Sequence, residues 1–409
     1  MQENNISIAN FENCQKCNIC AEVCPMMEVN PLYPGPKQSG PDGERYRLKD
    51  PAFFDNALKY CLNCKRCEVA CPSGVKIGDI IAMSKFKYYK SDHKLRDTAL
   101  ASTDFVGSLA SPFAPIVNGV LSLGVTKAVM DGTLGVSKHR TFPKYSSRKF
   151  TAWMHRHAQE QHAFPRKVSY FHGCYVNYNY PQLGKDFVKL MNACLYGVEL
   201  LEKERCCGVA LIANAMEAQA RKQAKINLAS IRKASGPVLT TSSTCTFTIR
   251  DEYDHVLGLP VGDVRDSVML ATRWLYRQIE EGAVRLVFKE DYHRKIAYHT
   301  ACHMQKMGWQ QYSIQLLKMI PGLELTVLEQ RCCGIAGTFG FKKENYAFSQ
   351  KVGEPLFALI KEAGVEAVAT DCETCKWQIE ASTGLPVLNP ISILAEAIDV
   401  EKTRKANEA

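Results

Sequence analysis

From about residue 167 to the C-terminus, short apolar runs alternate with longer helical stretches. That rhythm predicts strand–helix units, the α/β pattern. Ahead of it, Ala99 to Ser137 is apolar and nearly uncharged, interrupted by Asp104, Lys127 and Asp131. It lacks the roughly 18 uninterrupted apolar residues of a spanning helix, so the chain is expected to be peripheral at most, not integral. The segment "NPLYPGPKQSGPDGERYRLKD" is rich in proline and glycine and reads as a loop, and "PAFFDNALKY" after it reads as a helix. The opening "MQENNISIANFENC" has neither a basic n-region nor an apolar h-region, so no signal peptide is expected.

The α/β half repeats itself. The first copy carries "SYFHGC" ending at Cys174, "EKERCCG" with Cys206 and Cys207, and "TTSSTC" ending at Cys245. The second carries "AYHTACH" with Cys302, "LEQRCCG" with Cys332 and Cys333, and "TDCETC" with Cys372 and Cys375. Each copy reads strand–Cys, strand–Cys-Cys-Gly, strand–Cys-x2-Cys, so two similar units related by a pseudo-twofold axis are expected. Cysteines just past strand ends lie where open α/β sheets place their sites. The glycine after each Cys-Cys lets the backbone bend sharply. Ser242 stands where the repeat expects a cysteine. The second unit is therefore the better candidate for a cluster, and Cys174, Cys206, Cys207 and Cys245 form an altered site or a relic. Cys194, in apolar "LMNACLYG", reads as a small buried hydrophobe.

The N-terminal part carries the most specific signal. "CQKCNICAEVCP" runs from Cys14 to Pro25 and "CLNCKRCEVACP" from Cys61 to Pro72, both C-x2-C-x2-C-x3-C-P. Soft thiolates suit iron–sulfur clusters. Three cysteines on one tight loop grip three corners of a cubane, and in two-cluster ferredoxins the fourth serves the other cluster. On that pattern one [4Fe-4S] cluster takes Cys14, Cys17, Cys20 and Cys71, and the other takes Cys61, Cys64, Cys67 and Cys24. A zinc ribbon would not need the third cysteine or the Cys-Pro. The long spacer between motifs suggests a mostly helical ferredoxin domain rather than a compact βαβ one.

Composition refines this picture. The 409 residues allow two to three domains, and 18 clustered cysteines without an export signal argue for metal ligation over disulfides. The formal charge of +9 counts thiols as neutral. Each oxidised cluster with four thiolates carries roughly −2, so much of the basic excess is counter-charge and nucleic acid is not an expected partner. No G-x-G-x-x-G opens a helix after a strand, and no catalytic triad or carboxylate pair stands out, so no catalytic residue is assigned.

His172, His299 and His303 flank the lone cysteines of the repeat. Each is either an ordinary hydrogen-bonded histidine or a donor to cluster sulfur, and His172 favours the former. The apolar "FVGSLASPFAPIVNGVLSLGVTKAVM" precedes "SKHRTFPKYSSRKFTAWMHRH", which is basic and aromatic. That pairing suits a membrane surface, a partner subunit or an interdomain connector.

The Cys-Cys-Gly repeat resembles the CCG domain of the heterodisulfide reductase B subunits and of glycolate and lactate oxidase iron–sulfur subunits. Over nearly the full length, with "YCLNCKRCEVACPSGVKIGDI", "STCTFTIRDEY" and "CCGIAGTFGFKKENY", the chain more closely resembles the C subunits of bacterial anaerobic glycerol-3-phosphate dehydrogenases. The resemblance implies a non-catalytic electron-transfer subunit that takes electrons from flavin-bearing A and B subunits. It would pass them towards menaquinone at the cytoplasmic face of the inner membrane. In heterodisulfide reductase the five-cysteine site binds a non-cubane cluster, which here implies Cys302, Cys332, Cys333, Cys372 and Cys375. The alternatives are a heterodisulfide-reductase-like catalytic subunit and the iron–sulfur subunit of a lactate or glycolate oxidase.

The expected architecture is thus a multidomain α+β chain. Residues 1–98 form the helical two-cluster ferredoxin domain and 99–166 an apolar then basic connector for membrane or partner docking. Residues 167–290 form the degenerate first α/β CCG unit and 291–409 the second.

Overall fold

The computed structural model describes residues 10–53 and 56–408. Its C-terminal half holds two four-stranded parallel sheets. The first has β1 (Arg166–Tyr170), β2 (Tyr196–Leu200), β3 (Val238–Thr240) and β4 (Val268–Leu270), in the order β2-β1-β3-β4. The second has β5 (Arg294–Tyr298), β6 (Leu323–Val327), β7 (Ala367–Ala369) and β8 (Val387–Leu388), in the order β6-β5-β7-β8. The same order in both sheets is the pseudo-symmetric pair expected from the repeat. The fourth strands, β4 and β8, carry no cysteine and are not legible from the motif pattern. Parallel strands need crossovers, supplied by helices such as Pro181–Ala193 and Glu217–Ile231.

The two units exchange packing partners. Helix Pro181–Ala193 of the first packs on Pro390–Ala397 of the second, and Gln310–Lys318 of the second packs on Ala271–Glu280 of the first. One apolar core therefore runs through both, with Val168, Tyr170, Phe187 and Leu190 joined to Ile296, Tyr298, Ile391 and Leu394. Cys194 lies in this core, fully buried, as a small hydrophobe.

The N-terminal part is a set of short helices around Leu58, Val75, Ile77, Ile80 and Ile81. The expected loop at residues 30–50 is only half a loop. Its second part forms a π-turn at Gln38–Asp42 and a helix at Gly43–Lys49, whose Arg47 is buried against Glu44 at 2.8 Å. The helix expected in "PAFFDNALKY" is a short 3-10 turn at Asn56–Tyr60, and Phe54 and Asp55 lie outside the described residues.

Among the described residues one helical stretch is long and apolar enough, by length and composition, to match a membrane's thickness. Thr103–Ser122 is helical, 20 residues long, with mean hydropathy 1.3, and 22% of its apolar window is buried. A 3-10 turn at Ser111–Phe113 interrupts it, between Thr103–Ala110 and Ala114–Ser122. Serines and glycines count against it in an apolar-run reading, yet they do not stop a helix. In the basic run that follows, Arg140 is not a surface charge. It is buried, with its guanidinium on the Gly340 carbonyl at 2.8 Å and the Gln378 side chain at 2.5 Å.

Candidate metal centres

The two C-x2-C-x2-C-x3-C-P loops fold alike. Each places its third and fifth residues at positive φ: Lys16 and Asn18 in one, Asn63 and Lys65 in the other. These left-handed residues curl the backbone so that successive cysteines face inward. A one-turn helix follows in each, Ile19–Glu22 and Arg66–Val69, and the two helices pack together. Positive φ is costly for lysine, yet each loop has one lysine in it, Lys16 where the other loop has Asn63 and Lys65 where the other has Asn18.

The loops cross. Burial raises the Cys20 thiol, and its charge neighbours are Cys14, Cys17 and Cys71. Burial likewise pushes Cys24 up to about 12, with Cys64 and Cys61 as its thiol neighbours. Cys67 is raised by burial and feels Cys64, Cys61 and Cys24. The structure thus gathers Cys14, Cys17, Cys20 and Cys71 in one set and Cys24, Cys61, Cys64 and Cys67 in another. Backbone N–H groups already point at two of the sulfurs, Asn63 N to Cys61 Sγ at 3.5 Å and Val75 N to Cys71 Sγ at 3.4 Å.

The second CCG unit gathers its five cysteines at the carboxyl ends of β5, β6 and β7. Cys302 begins helix Cys302–Met307, and Cys372 caps helix Glu373–Thr383 with its sulfur accepting from Cys375 N at 3.4 Å. Cys302 and Cys332 sulfurs lie 3.9 Å apart, and Cys333 and Cys375 sulfurs 3.4 Å. The hydrogen bond from Cys375 is the main reason Cys372 falls to about 5. Gly334 has φ +83°, and a Cβ there would collide with the Ser349 carbonyl, so the Cys-Cys turn requires glycine. A cavity of about 90 Å³ opens among these thiols, with Cys64 of the ferredoxin part also on its wall. A hydrogen bond with Cys302 lowers Cys64 to about 7. Cys64 and Cys302 pack against the same buried cluster and line the same cavity, so the second thiol set and the CCG site adjoin.

The first unit gathers Cys174, Cys206, Cys207 and Cys245. Hydrogen bonds with Cys174 and then Cys207 hold Cys206 well below its ordinary value. Ser242 caps helix Ser243–Phe247 by accepting from Cys245 N at 3.2 Å, as Cys372 does in the other copy. Serine is a good N-cap, so the exchange preserves the turn while removing a thiol.

Several residues at these sites carry no sequence signal. Asp104, in sequence only a break in an apolar run, accepts a 2.7 Å bond from Cys206 N and is pushed up to about 7, first by burial. Thr244 of the first unit reaches Cys372 Sγ of the second at 3.7 Å. Lys65, between Cys64 and Cys67, is buried among Asp79, Glu68 and Glu252. The three histidines divide. His172 bonds the Gly173 carbonyl at 2.9 Å, whereas both ring nitrogens of His299 are buried without a hydrogen-bond partner among the described residues. His303 stacks on Phe247 at 4.8 Å.

None of the cysteines is bridged. Among the described residues, no three His, Cys, Asp or Glu side chains converge on a point suited to a single metal ion. A cubane needs its thiolates spread over separate iron corners, and sets of four soft donors on loops curled inward have the chemistry for that.

Comparison with known proteins bears on the same residues. The 4Fe-4S dicluster domain matches residues 10–75, and the cysteine-rich domain named CCG matches 168–250 and 296–380. The C subunit of anaerobic glycerol-3-phosphate dehydrogenase from Escherichia coli K12 is 56% identical over 95% of this chain and 98% of its own length. The chain belongs to that family of C subunits. It is an iron–sulfur protein, and its family is one of subunits in a larger dehydrogenase. An uncharacterized iron–sulfur protein of Methanocaldococcus jannaschii is 25% identical over 95% of this chain and 73% of its own. Lactate utilization protein A of Halalkalibacterium halodurans is 27% identical over 50% of this chain and 85% of its own. Likeness to the lactate-utilization protein thus spans half of this chain, whereas likeness to the dehydrogenase C subunit runs nearly end to end.

Proposed function

We propose that the chain carries electrons from flavin-bearing subunits of an anaerobic glycerol-3-phosphate dehydrogenase towards menaquinone, at the cytoplasmic face of the inner membrane. Iron–sulfur clusters supply one-electron chemistry when bound. Cys14, Cys17, Cys20 and Cys71 would hold one [4Fe-4S] cluster and Cys24, Cys61, Cys64 and Cys67 the other. Cys302, Cys332, Cys333, Cys372 and Cys375 would hold a third, non-cubane one. The first unit's thiols, beside Asp104, are offered only as a weaker site.

The observation that carries this reading is the cavity that Cys64 lines together with Cys302, Cys332, Cys333, Cys372 and Cys375. It joins the ferredoxin thiols to the CCG thiols in one continuous row. What the residues do is hold, insulate and screen. Apolar side chains such as Leu58, Met26 and Ile335 exclude water around the sulfurs. Lys65 places a buried positive charge beside the second set. The exposed apolar helices of the connector would rest on the membrane, bringing the row close to a lipid-soluble acceptor.

The test is anaerobic. The full chain, with its clusters, is mixed with the flavin-bearing subunits and glycerol 3-phosphate. Bleaching and the EPR of reduced clusters should appear only when both are present. A chain that stays oxidised under these conditions would remove the dehydrogenase partner from the reading.

A further inference from the structure

We infer that a large cavity beside the second thiol set is the seat of a quinone headgroup, a proposal that rests on the quinone-linked reading above. The cavity encloses about 580 Å³ between the ferredoxin part, the connector and the second CCG unit. Cys61 lies on its wall, so anything bound there touches a residue of the second thiol set. Ala336, also on this wall, is shared with the cavity of the CCG thiols.

Its chemistry suits a planar, carbonyl-bearing ring. Leu62, Tyr89 and Phe339 supply apolar and aromatic wall. Most of the charges are already neutralised in pairs: Arg96 with Glu344, Lys342 with Asp97, Lys343 with Asp131. Lys59, Asp92 and Lys85 have no ion-pair partner among the described residues, and of the three Lys85 is the buried one. It donates one bond, to the Cys61 carbonyl at 2.9 Å. An ammonium has three donors, so Lys85 keeps donors for a ligand oxygen. A buried cation with spare donors favours an electron-rich oxygen such as a quinone carbonyl.

The entrance fits a lipid tail. Helix Gly124–Thr133 ends at the cavity, where Asp131, Gly132 and Thr133 form part of the rim. Val125 and Val129 are exposed, at 78% and 56%, and stand at four-residue steps from Thr133. Residues so spaced share one helix face. An apolar stripe thus leads from the exposed connector helices to the rim, which is the path an isoprenoid chain would take.

The experiment uses the full chain purified anaerobically with its clusters. A fluorescent alkyl-hydroxyquinoline N-oxide, a naphthoquinone analogue, is titrated and displaced with menadione. A photoactivatable azidonaphthoquinone is then crosslinked and the labelled peptides mapped. The expected result is displaceable binding, with label on peptides carrying Lys85 or Thr133. Lys85→Met should weaken binding about tenfold, the loss of one charge-assisted hydrogen bond. Thr133→Trp, a surface change that narrows the rim, should do the same with iron content unchanged, and it carries the test if Lys85→Met does not fold. Binding that is equally tight in the variants, with label elsewhere, would overturn this location while leaving the quinone-linked reading intact. No displaceable binding to the unaltered chain would overturn both.

Discussion

Ser242 donates a 2.7 Å hydrogen bond to Glu373 across the seam between the two CCG units. Ser242 stands where the second unit has Cys372, and Glu373 is the residue after Cys372. Burial, and then the neighbouring Cys372, push Glu373 up to about 8. The missing cysteine has thus become the partner of a buried acid. Ser242→Ala should leave that carboxyl and the Cys245 N–H short of a partner and cost about 1–3 kcal/mol. The denaturation midpoint of the anaerobic protein measures this, and an unchanged midpoint would mean the seam does not depend on the bond.

The crossing of the ferredoxin loops makes a sharper prediction. Cys71 belongs to the second motif in sequence but sits with Cys14, Cys17 and Cys20 in space. Cys71→Ser and Cys14→Ser should therefore produce the same defect: about four fewer irons if the cluster is lost, with the signal of the other cluster retained. Cys24→Ser should instead match Cys61→Ser. EPR of the reduced variants distinguishes the pairs. If Cys71→Ser matched Cys61→Ser instead, each loop would serve its own cluster.

Lys65 is enclosed by Asp79, Glu68 and Glu252, with Lys306 on Glu68 at 2.8 Å. The three carboxylates and two lysines leave one net negative charge, and removing Lys65 would leave two. Lys65→Met should destabilise the chain by about 3–5 kcal/mol, the usual cost of stranding buried charge. Chemical denaturation of the anaerobic protein measures it. A loss below about 1 kcal/mol, typical of an exposed pair, would show that water reaches this network.

The parts of the fold written in repeated residues are legible without the structure. Cysteine spacing marks the ferredoxin loops, and the order of strand, Cys-Cys-Gly and Cys-x2-Cys marks both CCG sheets. What spacing cannot convey is which surfaces meet. The cavity shared by Cys64 and Cys302, the reach of Thr244 to Cys372 and the approach of Asp104 to Cys206 all join segments distant in sequence. Their partners are set by tertiary packing. The segment before the second motif departs from expectation for a local reason. Proline and glycine there form a π-turn that leads into a helix, and composition alone does not separate that from coil.

His299 offers a pH test. Burial lowers it to about 4, and Arg66 nearby acts in the same direction. Its folded value lies below the ordinary 6.5, so the unfolded chain binds more protons between those values. Stability is then complete above about pH 6.5 and falls as the pH drops towards about 4. The full effect is about 3 kcal/mol. Melting temperature against pH should fall more steeply for the unaltered chain than for His299→Leu. Parallel profiles would mean that His299 titrates alike in the folded and unfolded chains.

The connector makes the membrane reading testable. Phe105, Leu109, Phe113, Ile116, Val120 and Leu123 are all exposed, at 45–68%. So many large apolar side chains on neighbouring helices are unusual for a surface facing water. Lys138, Lys144 and Arg148 are exposed just beyond them, where anionic headgroups would meet them. The full chain should therefore sediment with vesicles containing phosphatidylglycerol, and less so as salt rises. Phe113→Asp with Ile116→Asp should weaken this by about tenfold or more, since each side chain forfeits burial worth about 1.5–3 kcal/mol. Both positions are exposed, so the melting temperature should hold. If the double variant binds vesicles as before but no longer associates with the flavin-bearing subunits, the apolar face belongs to the partner, and the membrane contact must lie elsewhere in the complex.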